Sequence, residues 1–105
     1  MSEPQKLFSY AEAQALVPEV RRLTGEAHRA LAAAGLDPGQ PEHDQGREIL
    51  GRWAAELQRL GVTVKGPWLV DFDNGSGYYC WRYPEPGLLY WHSYTAGFAG
   101  RLPIQ

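Results

Sequence analysis

The chain has 105 residues, the size of one ordinary domain, so we expect a single hydrophobic core and no second domain. Hydrophobic residues make up 44% of the sequence and charged residues 21%, which is typical of globular proteins and argues against disorder. The formal net charge of −2 provides no overall positive field for a phosphate backbone, so we expect no nucleic-acid partner.

The single cysteine and the N-terminal residues indicate in which cellular compartment the protein occurs. Cys80 has no partner for an intrachain disulfide, and free thiols are typical of reducing compartments. Residues 1–4 lack the basic and apolar segments of a signal peptide, and no apolar run reaches the roughly 18–20 residues of a membrane span. We therefore expect a cytoplasmic protein with no membrane contact.

The first predicted element is a long helix that begins at Ser9. Ser9 and Glu12 have the spacing of a capping box, in which each side chain accepts a hydrogen bond from the other residue's backbone N–H. Pro18 removes one backbone donor inside the helix, so we expect a kink just before it. Apolar residues recur at spacings of three and four until Gly35, a typical helix terminator: Leu16, Val20, Leu23, Ala27, Ala30 or Leu31, and Ala34.

A second amphipathic helix follows a polar loop at residues 35–46. Pro41 suits the first turn of this helix, and the acidic Glu42 and Asp44 suit its positive end. Two such helices joined by a short loop predict an antiparallel hairpin over about residues 9–60. The apolar positions that define the second helix end before Gly61: Ile49 or Leu50, Trp53, Leu57 and Leu60.

After Gly61 the apolar pattern becomes typical of strands. The sequence Asp73–Gly77 is a strong hairpin turn, and Gly97, Gly100 and Pro103 predict an irregular tail over residues 93–105. The fold class is therefore α+β, with the helical hairpin packed on a small antiparallel sheet of three to four strands. The strand segments lie within about residues 62–92: Val62–Val64, Trp68–Phe72, Tyr78–Arg82 and Leu88–His92.

The aromatic residues are concentrated in the sheet, because residues 61–105 hold ten of the thirteen aromatics but six of the twenty-two charged residues. Alternate side chains of a strand project to opposite faces, and a pairing of Arg82 with Leu88 would decide which side chains of the two strands share a face. One hairpin covers one face, and large exposed apolar patches are uncommon on monomers. We therefore expect the other face to meet a second subunit in a homodimer. The two sets are Tyr78, Cys80, Tyr90 and His92, and Tyr79, Trp81, Leu89 and Trp91.

Three segments of the C-terminal half carry a family resemblance: LVDF at Leu69–Phe72, CW…EP at Cys80-Trp81 and Glu85-Pro86, and YWH…AGFAGR at Tyr90–His92 and Ala96–Arg101. They resemble an uncharacterised bacterial family catalogued as domain of unknown function 2203, and Phe8–Leu23 is similar to that family's opening helix. Pro84 and Asp73 stand where the family usually has a glycine and often a proline, respectively. The resemblance supports the fold and implies no established activity.

Few polar residues lie in the aromatic half, so these are the candidates for chemistry. Cys80, Glu85 and His92 have donor types that zinc or another divalent metal takes, although no CxxC or HxxxH spacing supports a metal. Cys80 and His92 could alternatively act as nucleophile and base, although Tyr90 is expected opposite Cys80. The structural alternative is a buried Cys80, a hydrogen-bonded His92 at a strand end, and an Asp71 that faces away and caps a turn.

Two further kinds of site remain open alternatives. Backbone N–H groups of Gly97–Arg101 and the Arg101 guanidinium could hold a carboxylate or phosphate, whereas a salt bridge from Arg101 to Asp71 or Glu85 would be structural. An aromatic platform could stack on a ligand, whereas a core and a dimer interface would use the same residues. That platform would consist of Trp68, Tyr79, Trp81 and Trp91.

We expect a non-catalytic homodimeric interaction or regulatory module without a cofactor. The alternative is a metal- or small-ligand-binding protein, or an enzyme, with a site around Cys80, Glu85, His92 and Arg101. The residues predicted to contact a small ligand are Asp71, Trp81, Glu85, Trp91, His92 and Arg101.

Overall fold

The computed structural model describes residues 6–38 and 43–104. Two helices precede five antiparallel strands that pair in chain order, which confirms the predicted α+β class and exceeds the predicted three to four strands. No helix in these two ranges is long and apolar enough to cross a membrane. The elements are α1 (Tyr10–Ala33), α2 (Asp44–Arg59), β1 (Thr63–Gly66), β2 (Leu69–Asp73), β3 (Tyr78–Arg82), β4 (Tyr90–His92), a 3₁₀ helix (Phe98–Gly100) and β5 (Leu102–Pro103).

The helix ends follow local chemistry. The predicted capping box is confirmed: the Glu12 N–H donates to Ser9 Oγ at 3.1 Å, and the Ser9 N–H donates to Glu12 Oε1 at 2.9 Å. Gly35 (φ 70°) and Gly61 (φ 85°) follow the two helices in the left-handed conformation. Helix α1 continues through Pro18, and the expected kink stays a prediction. Pro41 and Glu42, which were predicted to belong to the first turn of the second helix, lie outside the described residues.

The helical hairpin packs on one face of the sheet, which we call the helix-side face. A buried hydrogen-bond chain joins the two helices, because Trp53 Nε1–H donates to Thr24 Oγ1 at 2.8 Å and that hydroxyl donates to the Val20 carbonyl at 2.7 Å. Apolar side chains from the helices and from β2 and β3 form one buried core with Trp53. They include Val17, Val20, Ala27, Leu57, Val70, Phe72 and Trp81.

The opposite face, which we call the tail-side face, packs against residues 93–101 of the same chain through Tyr94, Phe98 and Arg101. The expected division of β3 and β4 side chains is confirmed, because Tyr78 pairs with His92 and Cys80 with Tyr90. The segment expected to be irregular begins with turns at residues 93–97 and then contains the 3₁₀ helix and β5, which pairs with β4. The chain itself thus covers the face that we expected a second subunit to cover, and the homodimer remains a prediction.

We expect Ser9→Ala to lower the free energy of unfolding by about 0.5–2 kcal/mol, because the substitution removes the acceptor for an N-terminal backbone N–H of α1. Denaturant titration followed by circular dichroism measures the change. Ser9→Asp is the matched control, since an aspartate also caps a helix N-terminus and should keep the unfolding midpoint near that of the unmodified protein. Equal midpoints for Ser9→Ala and the unmodified protein would contradict the role of this cap.

Candidate functional site

The β2–β3 hairpin places Asp71 directly opposite Cys80. Four residues separate Asp73 from Tyr78, and these two residues pair, so the same register pairs Asp71 with Cys80. The expectation that Asp71 faces away and caps a turn is wrong, because residues opposite each other in antiparallel strands project to the same face. Asp73 caps the turn instead, since its Oδ1 accepts the Gly75 N–H at 2.9 Å.

Asp71, Cys80 and His92 form a compact buried cluster on the tail-side face. Their candidate donor atoms, one from each side chain, all lie within 4.8 Å of one another, and within residues 6–38 and 43–104 they are the one such group of three. The side chains come from β2, β3 and β4 and are at most 3% exposed. Gly77 permits the close approach of β4, because a Cβ at that position would lie 2.6 Å from the His92 carbonyl oxygen.

The two ring nitrogens of His92 have different partners. Nδ1 lies 2.8 Å from the backbone oxygen of Ser93, which can only accept, so Nδ1 carries a proton and donates it. Nε2 lies 3.1 Å from each carboxylate oxygen of Asp71. A single proton therefore joins Nε2 to Asp71, in either an imidazolium–carboxylate or an imidazole–carboxylic acid pair. Burial raises the pKa of Asp71, against the opposing effect of the His92 charge and hydrogen bond.

Burial and the Asp71 carboxylate together raise the pKa of the Cys80 thiol to about 12. The thiol is therefore protonated at neutral pH, whereas the nucleophilic species of a cysteine is the thiolate. This argues against the alternative in which Cys80 and His92 act as nucleophile and base. A bound cation would supply the positive charge that a buried thiolate needs.

Glu85 and Arg101 form a bidentate ion pair at the side of the cluster. The distances are 3.1 Å from Nη1 to Oε1 and 2.7 Å from Nη2 to Oε2, and the guanidinium lies 4.0 Å from the ring centroid of Tyr90. This is the structural salt bridge considered above, and it ties the C-terminal segment to the sheet. The guanidinium of Arg101 is therefore already paired with a carboxylate of this chain. Glu85, which was predicted as a metal ligand, lies outside the three-residue cluster.

Trp81 and Trp91 lie on the helix-side face, away from the cluster. Trp81 is fully buried and its Nε1–H donates to the Glu85 carbonyl at 2.9 Å, while Trp91 is 38% exposed. The structure does not bring the two tryptophans together with Asp71 and His92, because successive strand residues project to opposite faces. Trp81, one of the four residues of the predicted aromatic platform, belongs to the core and is not exposed to a ligand.

A cleft of about 250 Å³ opens beside the cluster, and Asp71 and His92 are part of its lining. The ammonium of Lys65 lies 4.6 Å from the Tyr78 ring centroid, and the Tyr94 hydroxyl donates to Asp73 at 2.7 Å. Sequence reasoning missed the cleft, because no pattern showed that residues 93–98 fold back against β1 and β2. Its other lining residues are Lys65, Leu69, Tyr94, Gly97 and Phe98.

We expect the Cys80 thiol of the native protein to resist modification by a disulfide reagent at neutral pH, because it is buried and its pKa is about 12. Reactivity should stay low up to about pH 9, where an unperturbed thiol with a pKa near 8.5 is mostly ionised. Absorbance of the released chromophore measures the rate, and denaturant-unfolded protein is the control that should react fast. Rapid labelling of the native protein at neutral pH would revive the nucleophile alternative.

Comparison with known proteins identifies the family. The sequence profile described as "Uncharacterized conserved protein (DUF2203)" matches residues 27–104, a range that includes α2, all five strands and the buried cluster. The matched range begins after Phe8–Leu23 and does not test the resemblance of that segment. No curated protein and no solved structure matches the chain. Since the profile covers well over half of its length, the chain belongs to the DUF2203 family of uncharacterized conserved proteins.

Proposed function

We propose that this protein binds a divalent metal ion, of which zinc is the best fit, through Asp71, Cys80 and His92. The observation that carries the proposal is the convergence of a carboxylate, a thiol and an imidazole to within 4.8 Å in a buried site. Zinc takes all three donor types, and donor atoms about 2.0–2.3 Å from one tetrahedral ion lie roughly 3.3–3.8 Å apart. The observed spacing is close to that of a ligand set.

The orientation of His92 supports the proposal. Metal-ligating histidines commonly donate their second ring N–H to a carbonyl or carboxylate, which fixes the tautomer and aims the other nitrogen at the metal. Here the Nδ1–H donates to the Ser93 carbonyl, so Nε2 is the nitrogen directed toward Asp71. Three protein ligands leave one position of a tetrahedral ion open, as in catalytic zinc sites.

The protonation of the metal-free cluster sets a proton balance for binding. A cation that binds Nε2 and the Asp71 carboxylate displaces the one proton that these groups share, whichever of the two holds it. A cation that binds Cys80 displaces the thiol proton, since the thiol is protonated at neutral pH. Two protons leave as two positive charges enter, so the net charge of the buried cluster does not change. Such a balance avoids the cost of burying an uncompensated charge.

We expect Zn²⁺ to bind one ion per chain with release of about two protons at neutral pH. Calorimetric titration in buffers of different ionisation enthalpy measures both quantities. Cys80→Ala should weaken binding and reduce the release to about one proton, and it should abolish the sulfur-to-metal charge-transfer band of the Co²⁺-loaded protein. His43→Ala is the matched control, because His43 is exposed at the start of α2. Failure to bind Zn²⁺ and Co²⁺, or binding that Cys80→Ala leaves unchanged, would overturn the proposal.

We also propose that the chain forms a homodimer, through an exposed apolar patch on the helix-side face. The patch consists of Tyr10, Trp91 and Leu102, which are 38–53% exposed. Trp91 pairs with Leu102 and with Tyr79, and the Tyr10 ring packs edge-on against Tyr79 at 5.6 Å, so these side chains are neighbours. The hairpin covers β2 and β3 and leaves this end of the face open. Exposed aromatic and aliphatic groups of this kind are enriched at protein interfaces.

We expect sedimentation equilibrium at roughly 10 μM to give a mass near twice the 11.8 kDa of the chain. Trp91→Gln should shift the protein toward the monomer, because the substitution removes the largest side chain of the patch. Leu7→Gln is the matched control, since Leu7 is 56% exposed and lies outside the patch. A monomer mass for the unmodified protein, or equal effects of the two substitutions, would contradict this interface.

A further inference from the structure

The cleft beside the cluster opens on the metal-ligand set proposed above. Asp71 and His92 are part of the cleft lining. The cleft volume of about 250 Å³ is many times the roughly 10–15 Å³ of accessible volume that one water molecule needs, so the cleft has room for more than one metal-bound water. The cleft therefore has room for a molecule that contacts the side chains of the proposed metal site.

The charges around the cleft favour an anion. Lys65 is the cationic residue of the lining. The ion pairs found in the described part of the chain all join other residues. Arg101 is neutralised by Glu85. A set of one divalent ion, one carboxylate and one thiolate has no net charge, and Asp73 lies outside the lining, where it accepts hydrogen bonds from Tyr94 and Gly75. Lys65, which lies near enough to act on Asp71, is then the charged group of the lining that an anionic ligand would meet.

The remaining lining favours a ligand with a hydrocarbon part. Leu69 and Phe98 provide apolar surface in the same cleft. The hydroxyl of Tyr94 is already directed to Asp73, so its proton is not available to a ligand. Small-molecule sites are mostly apolar with a few converging polar groups, and this cleft combines apolar side chains with one ammonium and a metal position.

We infer that the cleft binds a small organic carboxylate, whose oxygen completes the coordination of the metal while Lys65 pairs with its charge and Leu69 and Phe98 contact its hydrocarbon part. The inference rests on the proposed metal site. It assigns Lys65 as a ligand-binding residue and residues 97–98 as part of the binding cleft, and inorganic phosphate is the competing oxyanion.

Titration of the Co²⁺-loaded protein with isobutyrate tests this inference, because the visible bands of Co²⁺ change when a fourth ligand binds. We expect a saturable change with isobutyrate and a smaller or weaker response to phosphate. Lys65→Met keeps the alkyl stem and removes the charge, so it should raise the dissociation constant for isobutyrate about tenfold or more. Lys6→Met is the matched control, since Lys6 lies over the Phe8 ring at 5.0 Å as Lys65 lies over Tyr78, but outside the cleft.

The possible outcomes separate the two proposals. If no sulfur-to-cobalt charge-transfer band forms, the metal proposal fails and the carboxylate inference fails with it. If the band forms and neither oxyanion changes the visible spectrum, the metal proposal stands and the inference is overturned. Tighter binding of phosphate than of isobutyrate, or an equal effect of Lys65→Met and Lys6→Met on isobutyrate binding, also overturns it.

Discussion

Successive residues of a β-strand project to opposite faces, and in this protein the two faces have opposite chemistry. Val70 and Phe72 point into the apolar core beneath the helices, while Asp71, between them, points to the polar cluster. A register shift of one residue would move a carboxylate into the core and a phenyl ring onto the tail-side face. The turn between Asp73 and Tyr78 prevents this shift, because the Asn74 side chain accepts the N–H groups of Ser76 and Gly77.

The buried cluster and the C-terminal segment depend on each other. Polar groups buried without partners are costly, and Asp71 and His92 avoid that cost by bonding to each other and to the Ser93 carbonyl. The segment that buries them is held in turn by the Arg101–Glu85 pair, a bidentate arrangement of low exposure. The same burial raises the pKa values of Asp71 and Cys80, so the packing that orders the fold also determines the protonation of the cluster.

Strand β4 connects the two proposed functions. His92 projects to the tail-side face and completes the cluster, whereas Trp91, the residue before it, projects to the helix-side face and belongs to the apolar patch. The metal site and the dimer interface would therefore occupy opposite faces of one short strand, and neither would block the other. Strand β5 covers part of the outer edge of β4, and its Leu102 adds to the patch while Arg101, just before it, reaches Glu85.

Local signals in the sequence determined the helices, their caps and the α+β class, because amphipathic spacing, Ser9, Gly35 and Gly61 act within one or two turns of chain. The shared face of Cys80 and His92 followed from alternation along each strand together with an assumed pairing of Arg82 with Leu88, and the structure has that register. Only the tertiary structure decided that Asp71 joins this pair, that Glu85 and the tryptophans do not, and that residues 93–101 cover the tail-side face. Those placements depend on cross-strand register and on a segment that folds back through contacts distant in sequence, and no local periodicity encodes them.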